Sequence, residues 1–485
     1  MKRINKIYFI LTLIILLGLF FRLVGINSES YWLDEAISVK RAQEPYLKGI
    51  EVVKTDTHLP LHIIILHGWV QLFGISEIST RLLSTIFDLI SIYVIFILGR
   101  RLFDYEIGLI SALLLSISSL AIYYSQEARP YSLFMLLTLL SFYFYIKLLK
   151  VKNIKNIILY SFFTLLLVYT HHFSFFVLLI QNIYYILLYR KKLQSLIHWF
   201  AIQSVLGLLF LPWVPILIKQ ISDTRLYSWI PKPTIFSVLI TFDIFFNNTY
   251  SILILILIVL IILIGKNKIK NELNKLSFIL MWAFIPFIIV IPFSLIFRSL
   301  YHMRYFIFTL PAFYLFFAWC VSKVSNNILI KRWLITIIIV SSIPSILYQY
   351  KHVDKDDWRS ISLFIKDNIK DDTYIFIHPY YQQEPFTLYF DKECFEGYYI
   401  YSCNFNKHNI LSLNSQAKCC DDSTILTSTN NYNQLGYYLD KEILLINTRD
   451  SIYYSNDSLF DYFSTRKELI LTKEFEMGVK VYKFK

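Results

Sequence analysis

The sequence predicts a polytopic α-helical membrane protein with a C-terminal α/β domain. Three observations support this prediction: 56% of the 485 residues are apolar, only 17% are charged, and the long apolar runs stop after Gln349. Soluble domains carry about 25% charged residues, and a helix needs about 20 apolar residues to cross a bilayer. The composition therefore excludes a disordered, a collagen-like and a small disulfide-framed protein, and it argues against a cytosolic enzyme.

The net charge of +13 is divided unevenly along the chain. Residues 1–349 hold 31 Lys and Arg against 14 Asp and Glu, whereas residues 350–485 hold 16 against 20. We predict a transmembrane catalytic domain over 1–349, with surface helices in an outer loop over 26–78, and an extracytoplasmic α/β domain over 350–485. A basic excess can indicate nucleic acid. Here it lies in short loops between spans, so we expect no nucleic-acid partner.

Hydropathy and charge predict eleven spans and a cytoplasmic N-terminus. With this count the inner loops carry 19 of the 31 basic residues in 1–349 and only three acids, as the positive-inside rule requires. The stretches 58–74 and 234–246 are interpreted as surface helices, because a span at 58–74 would invert that pattern. The first 25 residues resemble a signal peptide, but no small-residue cleavage site follows them, so we expect a retained first span. The predicted spans are 7–25, 79–99, 107–124, 131–150, 156–171, 173–189, 196–217, 250–265, 277–297, 304–323 and 333–349.

An odd number of spans places the tail outside the cell, on an integral protein of the plasma membrane. In the tail Asp357 is predicted to cap a helix, and 373–377, 443–446 and 479–482 have the pattern of strands. Two disulfides could form there in an oxidising compartment, with three pairings open. A zinc site is the weaker interpretation, because no Cys-x-x-Cys spacing occurs. The four cysteines of the tail are Cys394, Cys403, Cys419 and Cys420.

Two candidate site segments follow the first predicted span. Asp34 and Glu35 are adjacent carboxylates beside aromatic residues. They either cap an interfacial helix or serve as a general base or metal ligands. His58 and His62 are four residues apart, which places them on one face if the helix has already begun. That spacing alone is a weak metal signal.

Two further segments lie at the predicted outer ends of later spans. Glu127 and Arg129 occupy a very short loop, so they are held at the membrane boundary, where charges are costly unless paired or used. His171 and Arg304 follow in later loops. An arginine suits phosphate, because its planar fork matches the oxygens. The alternatives are a local Glu–Arg pair and snorkelling to lipid headgroups.

Eight short segments together resemble a known family, because they follow one another in the same order and most are predicted on the outer side of the membrane. They are Trp32-Leu33-Asp34-Glu35, His58-Leu59-Pro60-Leu61, Arg81-Leu82-Leu83, Gly99-Arg100-Arg101-Leu102, Gln126-Glu127-Ala128-Arg129-Pro130-Tyr131, Thr170-His171, Arg304-Tyr305 and Asp357-Trp358-Arg359. The pattern resembles membrane glycosyltransferases with the GT-C fold. It is most similar to the superfamily of dolichyl-phosphate-mannose protein mannosyltransferases and lipid A aminoarabinose transferases, especially its bacterial and archaeal branch.

The resemblance implies inverting transfer of a sugar from a polyprenyl-phosphate donor to a glycan, lipid or protein acceptor on the outer face. Asp34 corresponds to the general base of the family, with Glu35 as its partner. The donor phosphate is expected to bind Arg129, Arg304, His58 and Tyr131. Glu127 and His171 correspond to candidate ligands of a divalent metal ion. Where some relatives have Glu or Lys, this chain reads Asp56-Thr57-His58, which leaves the ligand set and the metal itself open.

Two other classes of function remain as alternatives. A transporter or flippase of lipid-linked sugars would also explain the spans, and it predicts inverted repeats and charges at the midplane. No repeat is apparent, and Asp88 and Asp243 are the charges that could support this reading. An O-antigen-type polymerase or ligase uses a diphosphate donor and lacks an acidic pair after the first span.

Overall fold

The computed structural model describes residues 2–223, 230–248, 266–324, 327–370, 373–378, 380–390, 410–414, 425–427, 435, 438–448 and 458–485. The chain divides into two compact units. The membrane unit comprises Met1–Ile26 and Tyr46–Lys351, and the sheet unit comprises Asn27–Pro45 and His352–Lys485. The predicted span 250–265 and the four cysteines of the tail lie outside the described residues.

The described part of the chain is mostly helical. Its α-helices are α1 (Lys2–Leu23), α2 (Leu33–Gln43), α3 (Tyr46–Thr55), α4 (Leu61–Phe73), α5 (Glu77–Leu102), α6 (Tyr105–Ser116), α7 (Ser119–Ser125), α8 (Tyr131–Lys150), α9 (Ile154–Val168), α10 (Ser174–Tyr189), α11 (Leu193–Phe210), α12 (Val214–Asp223), α13 (Ile235–Phe245), α14 (Lys266–Asn271), α15 (Leu273–Ile296), α16 (Leu310–Val324), α17 (Ile328–Lys351), α18 (Trp358–Asn368), α19 (Gln383–Phe390) and α20 (Ser458–Ser464). Short 3₁₀ helices cover Leu211–Trp213, Met303–Thr309, Tyr380–Gln382 and Glu476–Gly478.

The prediction of a polytopic helical membrane protein is confirmed. Among the described residues, seven helices are long and apolar enough to cross a membrane, and the bent pair α6 and α7 makes an eighth. The helices α9 and α10 are apolar but shorter, with 15 and 16 residues. The helices α4 and α13, which the sequence predicts at the surface, are shorter still, with 13 and 11 residues.

The predicted span 107–124 is broken rather than continuous, because the chain bends by 60° between α6 and α7. The side chain of Ser118 caps α7. Arg22 donates hydrogen bonds to two carbonyl groups at the end of α6, and Asn247 accepts one from the Ser119 N–H at 2.8 Å. Backbone groups inside a membrane must find partners within the protein. These two buried side chains therefore permit the bend.

A buried polar network joins four helices of the membrane unit. The hydroxyls of Ser141 in α8 and Thr164 in α9 are 2.8 Å apart, and the amide of Gln181 in α10 donates to Ser141. Tyr160 donates to Gln181, and Gln203 in α11 donates to Tyr160. Buried polar groups that find partners are compatible with an apolar bundle and favour one arrangement of its helices.

The sheet unit contains a mixed sheet, and the predicted α/β class of the tail is confirmed. Its strands are β1 (Thr373–His378), β2 (Ile410–Asn414), β3 (Ile425–Thr427), β4 (Glu442–Asn447), β5 (Leu469–Glu474) and β6 (Lys480–Phe484). Their order is β3-β2-β1-β4-β6-β5, with parallel pairing from β3 to β4 and antiparallel pairing from β4 to β5. In β1, Ile375 and Ile377 join one core cluster with Trp358, whereas Phe376 joins a second cluster with Phe463. Both faces of β1 are therefore buried, which explains its unbroken apolar run.

The segment Asn27–Pro45 belongs to the sheet unit, although the sequence groups it with the membrane domain. We call it the acidic segment, because it contains Asp34 and Glu35. Its helix α2 packs against α19. The predicted cap of α18 is confirmed, since the Asp357 side chain accepts from the Ser360 N–H at 3.1 Å.

Candidate active site

Four connections of the membrane unit bring most of the predicted site residues together. They are the residues before α4, the loop from α7 to α8, the loop from α9 to α10, and the 3₁₀ helix Met303–Thr309. The first and third are joined directly. The Leu61 N–H donates to the Tyr169 carbonyl at 3.0 Å, and His172 Nε2–H donates to the Thr57 carbonyl at 2.8 Å.

A chain of hydrogen bonds links Asp56, His58 and Arg129. Arg129 Nη2 lies 3.0 Å from His58 Nε2, and His58 Nδ1 lies 2.5 Å from Asp56 Oδ2. A guanidinium group can only donate, so His58 Nε2 must accept. His58 is therefore a neutral imidazole with its proton on Nδ1, which donates to the Asp56 carboxylate. The carboxylate fixes the tautomer that orients the arginine.

Two guanidinium groups converge on one aromatic ring. The Cζ atoms of Arg129 and Arg304 lie 6.0 and 5.7 Å from the ring centroid of Tyr131, the first residue of α8. Arg304 also lies 5.6 Å from the ring of Tyr305. Both arginines are buried, with 3% and 8% of their surface exposed. Two buried cations around one ring form a favourable environment for an anion such as phosphate. We call Arg129 and Arg304 the arginine pair.

Local structure fixes each member of the arginine pair. Arg129 is two residues before α8, and its N–H donates to the Glu127 carbonyl at 2.8 Å. Gln126 anchors the same loop by donating to the Val24 carbonyl at 2.7 Å. Arg304 lies in the 3₁₀ helix Met303–Thr309, whose preceding residue His302 accepts from the Arg304 N–H. Short connections therefore fix the backbone positions from which both arginine side chains extend.

His171 lies beside the arginine pair and is neutral. Its ring stacks on that of Phe134, with 4.6 Å between the ring centroids, and lies 5.3 Å from the centroid of the Tyr305 ring. Its Nδ1 accepts a hydrogen bond from the Phe173 N–H at 3.2 Å. Burial lowers the pKa of His171 well below its usual range, and nearby histidines and the arginine pair lower it further. The positive charge of this cluster therefore resides on guanidinium groups.

His62 and His58 do not share a helical face. The helix begins at Leu61, so His58 lies in the preceding loop. His62 is buried, and desolvation, reinforced by the charge of Arg129, lowers its pKa to about 3. The spacing of four residues therefore indicates no shared ligand role.

The metal role of Glu127 and His171 stays a prediction. Glu127 is buried in the loop before α8, with 1% of its surface exposed. Within the described ranges, no three His, Cys, Asp or Glu side chains form a group that could hold a metal ion. We therefore derive no step of the reaction through a metal ion.

Asp34 and Glu35 lie in the other unit, in the first turn of α2. Glu35 is fully buried, and its carboxylate accepts from Lys355 Nζ at 3.0 Å. Asp34 is partly exposed, and its carbonyl accepts from the Ser38 hydroxyl at 2.8 Å.

Sequence reasoning missed the roles of Asp56 and Lys355. Asp56 and His58 lie in the connection between α3 and α4, where no regular periodicity indicates which side chains meet. Lys355 lies in the acidic run Asp354-Lys355-Asp356-Asp357, which is typical of a solvated surface. Nothing in the sequence pairs Lys355 with a residue 320 positions earlier.

The fold and the site define the class of protein. The chain is an integral membrane protein with the GT-C fold. It superposes on the solved structure of ArnT from Cupriavidus metallidurans bound to undecaprenyl phosphate, with a TM-score of 0.63 and 10% identity, over 97% of each chain. The oligosaccharyltransferase of Archaeoglobus fulgidus in its apo form gives a TM-score of 0.56 at 10% identity, over 79% of this chain and 64% of that one.

The family match is more particular. Residues 57–216 match the model of the dolichyl-phosphate-mannose-protein mannosyltransferase family. This segment contains five of the predicted site residues, namely His58, Glu127, Arg129, Tyr131 and His171. The resemblance drawn from the sequence is confirmed, and it supports a membrane glycosyltransferase. No curated protein matches the chain. A further similar structure is AglB from A. fulgidus with an inhibitory peptide and a dolichol-phosphate, with a TM-score of 0.55, 10% identity and coverage of 80% and 64%.

Proposed function

We propose that the protein transfers a sugar from a polyprenyl-phosphate donor to a hydroxyl acceptor, with inversion at the anomeric carbon. One observation carries the proposal: two buried guanidinium groups, Arg129 and Arg304, converge on the ring of Tyr131. The phosphodiester of such a donor, and the polyprenyl phosphate that it releases, can accept hydrogen bonds from both guanidinium forks. The similar structures with undecaprenyl phosphate and dolichol-phosphate support a lipid phosphate as this anion.

The arginine pair is expected to act on the leaving group. As the glycosidic bond breaks, the phosphate oxygen receives the electron pair, and its negative charge increases. Donors placed where charge develops typically contribute about 10²–10³ in rate. His58 Nε2 accepts a hydrogen bond from Arg129 and so orients its guanidinium group. Because its pKa is lowered well below the usual range, His171 is uncharged near neutral pH. We therefore expect it to add no pH-dependent positive charge beside the phosphate.

The acceptor side of the reaction is assigned to Asp34. The acceptor hydroxyl oxygen forms a bond to the anomeric carbon from the face opposite the phosphate. Its proton passes to the Asp34 carboxylate, and the polyprenyl phosphate leaves with the electrons of the broken bond. A general base typically contributes about 10²–10⁴ in rate. Glu35 is the buried partner of this base within α2.

The proposed topology follows from charge. A cytoplasmic N-terminus places Lys and Arg in the inner loops, so the C-terminal domain and the acceptor lie on the outer side of the plasma membrane. The acceptor is a glycan, a lipid or a protein.

The test is a transfer assay with the purified full chain in lipid nanodiscs. The donors are undecaprenyl-phosphate-linked hexoses, aminosugars and pentoses with a radiolabel in the sugar, and the readout is released undecaprenyl phosphate and labelled acceptor from a membrane extract. We expect wild type to release lipid phosphate from at least one donor. Asp34→Asn should lower the rate at least 100-fold, and Arg304→Gln should weaken donor binding.

The matched control for Asp34→Asn is Asp461→Asn, which changes an aspartate in α20 of the same unit. The proposal fails if wild type binds undecaprenyl phosphate no more tightly than undecaprenol. The assignment of the base fails if Asp34→Asn keeps the activity of the control.

Asp88, one of the two charges on which the transporter alternative depends, has a partner within the bundle. This carboxylate is fully buried and forms an ion pair with Arg22. Arg22 also bonds the end of α6 at the bend. Since this ion pair supports the bend, it serves the packing of the bundle, and we retain glycosyl transfer.

A further inference from the structure

The acidic segment is held by the C-terminal part of the sheet unit. The Ser30 hydroxyl donates to the Asp356 carbonyl at 2.6 Å and accepts from the Trp358 N–H at 3.0 Å. The Tyr31 N–H donates to the Tyr389 hydroxyl at 2.7 Å. Further bonds run from Asp354 N–H to Glu29, from Lys40 to Glu384, and from Arg359 to the Asn27 carbonyl. The two pieces are therefore one folded unit, although more than 300 residues separate them in the chain.

The pair between Lys355 and Glu35 is the more buried of the two Lys–Glu pairs described in this contact. Lys355 Nζ is 3.0 Å from Glu35 Oε2, and the two side chains are 5% and 0% exposed. The pair Lys40–Glu384, in contrast, is 16% and 17% exposed. Removing one partner of a buried ion pair strongly destabilises the folded protein, because it leaves an uncompensated charge in the interior. A more exposed pair contributes little to folding stability. Glu35 therefore depends on Lys355 for its position.

Burial singles out Lys355 within its acidic run. Asp354 is exposed, and Asp356 and Asp357 are partly exposed. Trp358, which follows the run, is buried in the core of the sheet unit. The backbone of Lys355 is thus fixed by its neighbours, and its ammonium group reaches a defined point next to α2.

We propose that the C-terminal domain is the scaffold that orients the acidic segment, and that Lys355 is a positioning residue for Glu35. Since Asp34 precedes Glu35 in the first turn of α2, the pair also sets the direction of the proposed base. This role for Asp34 rests on the function proposed above. Lys355 itself does not touch the reacting atoms in this proposal.

The first test is amide hydrogen exchange of the full chain in nanodiscs. Lys355→Met should raise exchange in α2 at least tenfold, and Lys355→Arg should restore it to within threefold of wild type. The matched control is Lys483→Met, which removes another Lys–Glu pair of the same unit, Lys483–Glu442 at 3.0 Å. This control should leave exchange in α2 unchanged.

A second variant covers the case in which Lys355→Met unfolds the whole unit. Exchange in β1 and β4 would then rise together with that in α2. Glu35→Gln removes the same pair from the other side and keeps the shape of the side chain, so it should raise exchange in α2 alone. If neither Lys355→Met nor Glu35→Gln raises exchange in α2 selectively, the inference is overturned.

The second test measures catalysis. Lys355→Met should lower kcat at least tenfold, with the KM for the lipid-linked donor within threefold, and Lys355→Arg should recover most of the activity. A variant that loses donor affinity instead of kcat would contradict the positioning role. If wild type transfers no sugar from any donor, the proposed function fails, while the exchange experiment still decides whether Lys355 holds the acidic segment.

Discussion

Arg129 donates a hydrogen bond to His58 Nε2 at 3.0 Å, and the opposite ring nitrogen of His58 is held by Asp56 at 2.5 Å. The imidazole thus links a carboxylate to a guanidinium group without carrying a charge itself. Arg129 gains a fixed orientation toward the ring of Tyr131. A cation that is oriented before the donor arrives loses less entropy when it binds the phosphate.

Replacing His58 should weaken binding of the lipid phosphate. A hydrogen bond to a charged group contributes about 1.5–3 kcal/mol, so His58→Ala should raise the Kd for undecaprenyl phosphate roughly tenfold or more. Asp56→Asn keeps an acceptor oxygen and should have a smaller effect. His198→Ala is the control, because His198 is exposed and bonds only the Gln194 carbonyl of its own helix among the contacts described. Equal affinities for His58→Ala and His198→Ala, measured by titration in nanodiscs, would refute the role of this link.

Tyr131 is expected to act through its ring rather than its hydroxyl. Both guanidinium groups lie within about 6 Å of the ring centroid, where cation–π interactions contribute about 0.5–2 kcal/mol. Tyr131→Phe keeps this surface and should bind undecaprenyl phosphate like wild type. Tyr131→Leu should bind it several-fold more weakly. A loss of affinity in Tyr131→Phe equal to that in Tyr131→Leu would assign the effect to the hydroxyl.

The buried His62 should make stability depend on pH. Its pKa is about 3 in the folded protein, against 6.5 for an ordinary histidine. Between these values the unfolded chain binds more protons than the folded protein does. The contribution of His62 to the free energy of unfolding is therefore complete above pH 6.5 and is lost as the pH falls toward 3. The slope from one such group is at most about 1.4 kcal/mol per pH unit.

His62→Gln removes this contribution, so its unfolding temperature should fall less steeply than that of wild type between pH 6.5 and 4.5. The measurement is thermal unfolding in detergent across that range, with both proteins compared at pH 7.5 as the reference. Parallel curves for wild type and His62→Gln would show that His62 does not titrate on unfolding.

The pair Arg22–Asp88 should be important for stability. Both side chains are fully buried, so Asp88→Asn leaves a buried guanidinium without its counter-charge. Breaking such a pair typically costs about 3–5 kcal/mol, and the unfolding temperature should drop accordingly. The double variant Arg22→Met/Asp88→Leu should recover only part of the loss, because Arg22 also bonds carbonyl groups at the bend.

The control for this pair is Lys331→Met. Its partner Glu106 is 40% exposed, and exposed pairs typically contribute less than about 1 kcal/mol. If Asp88→Asn unfolds at the same temperature as Lys331→Met, the buried pair does not stabilise the bend.

The sequence determines the class of this protein because its signals are local. Apolar runs of about 20 residues are long enough to cross a bilayer, whereas the short unbroken run at 373–377 becomes β1, with both faces buried. Short connections also keep Glu127 and Arg129 at a helix end. These features depend on neighbours in the chain, so hydropathy and spacing are sufficient to predict them.

The tertiary structure alone decides which side chains meet. Lys355 pairs with Glu35 across 320 residues, and Arg129 bonds His58 across 71. The bend after α6 likewise depends on Arg22 and Asn247, which come from distant helices. Spacing along one helix or strand cannot encode such contacts, because they arise only when separate elements pack and exclude water. For this reason the sequence could only propose charged candidates for the site, and the fold showed which partners hold them.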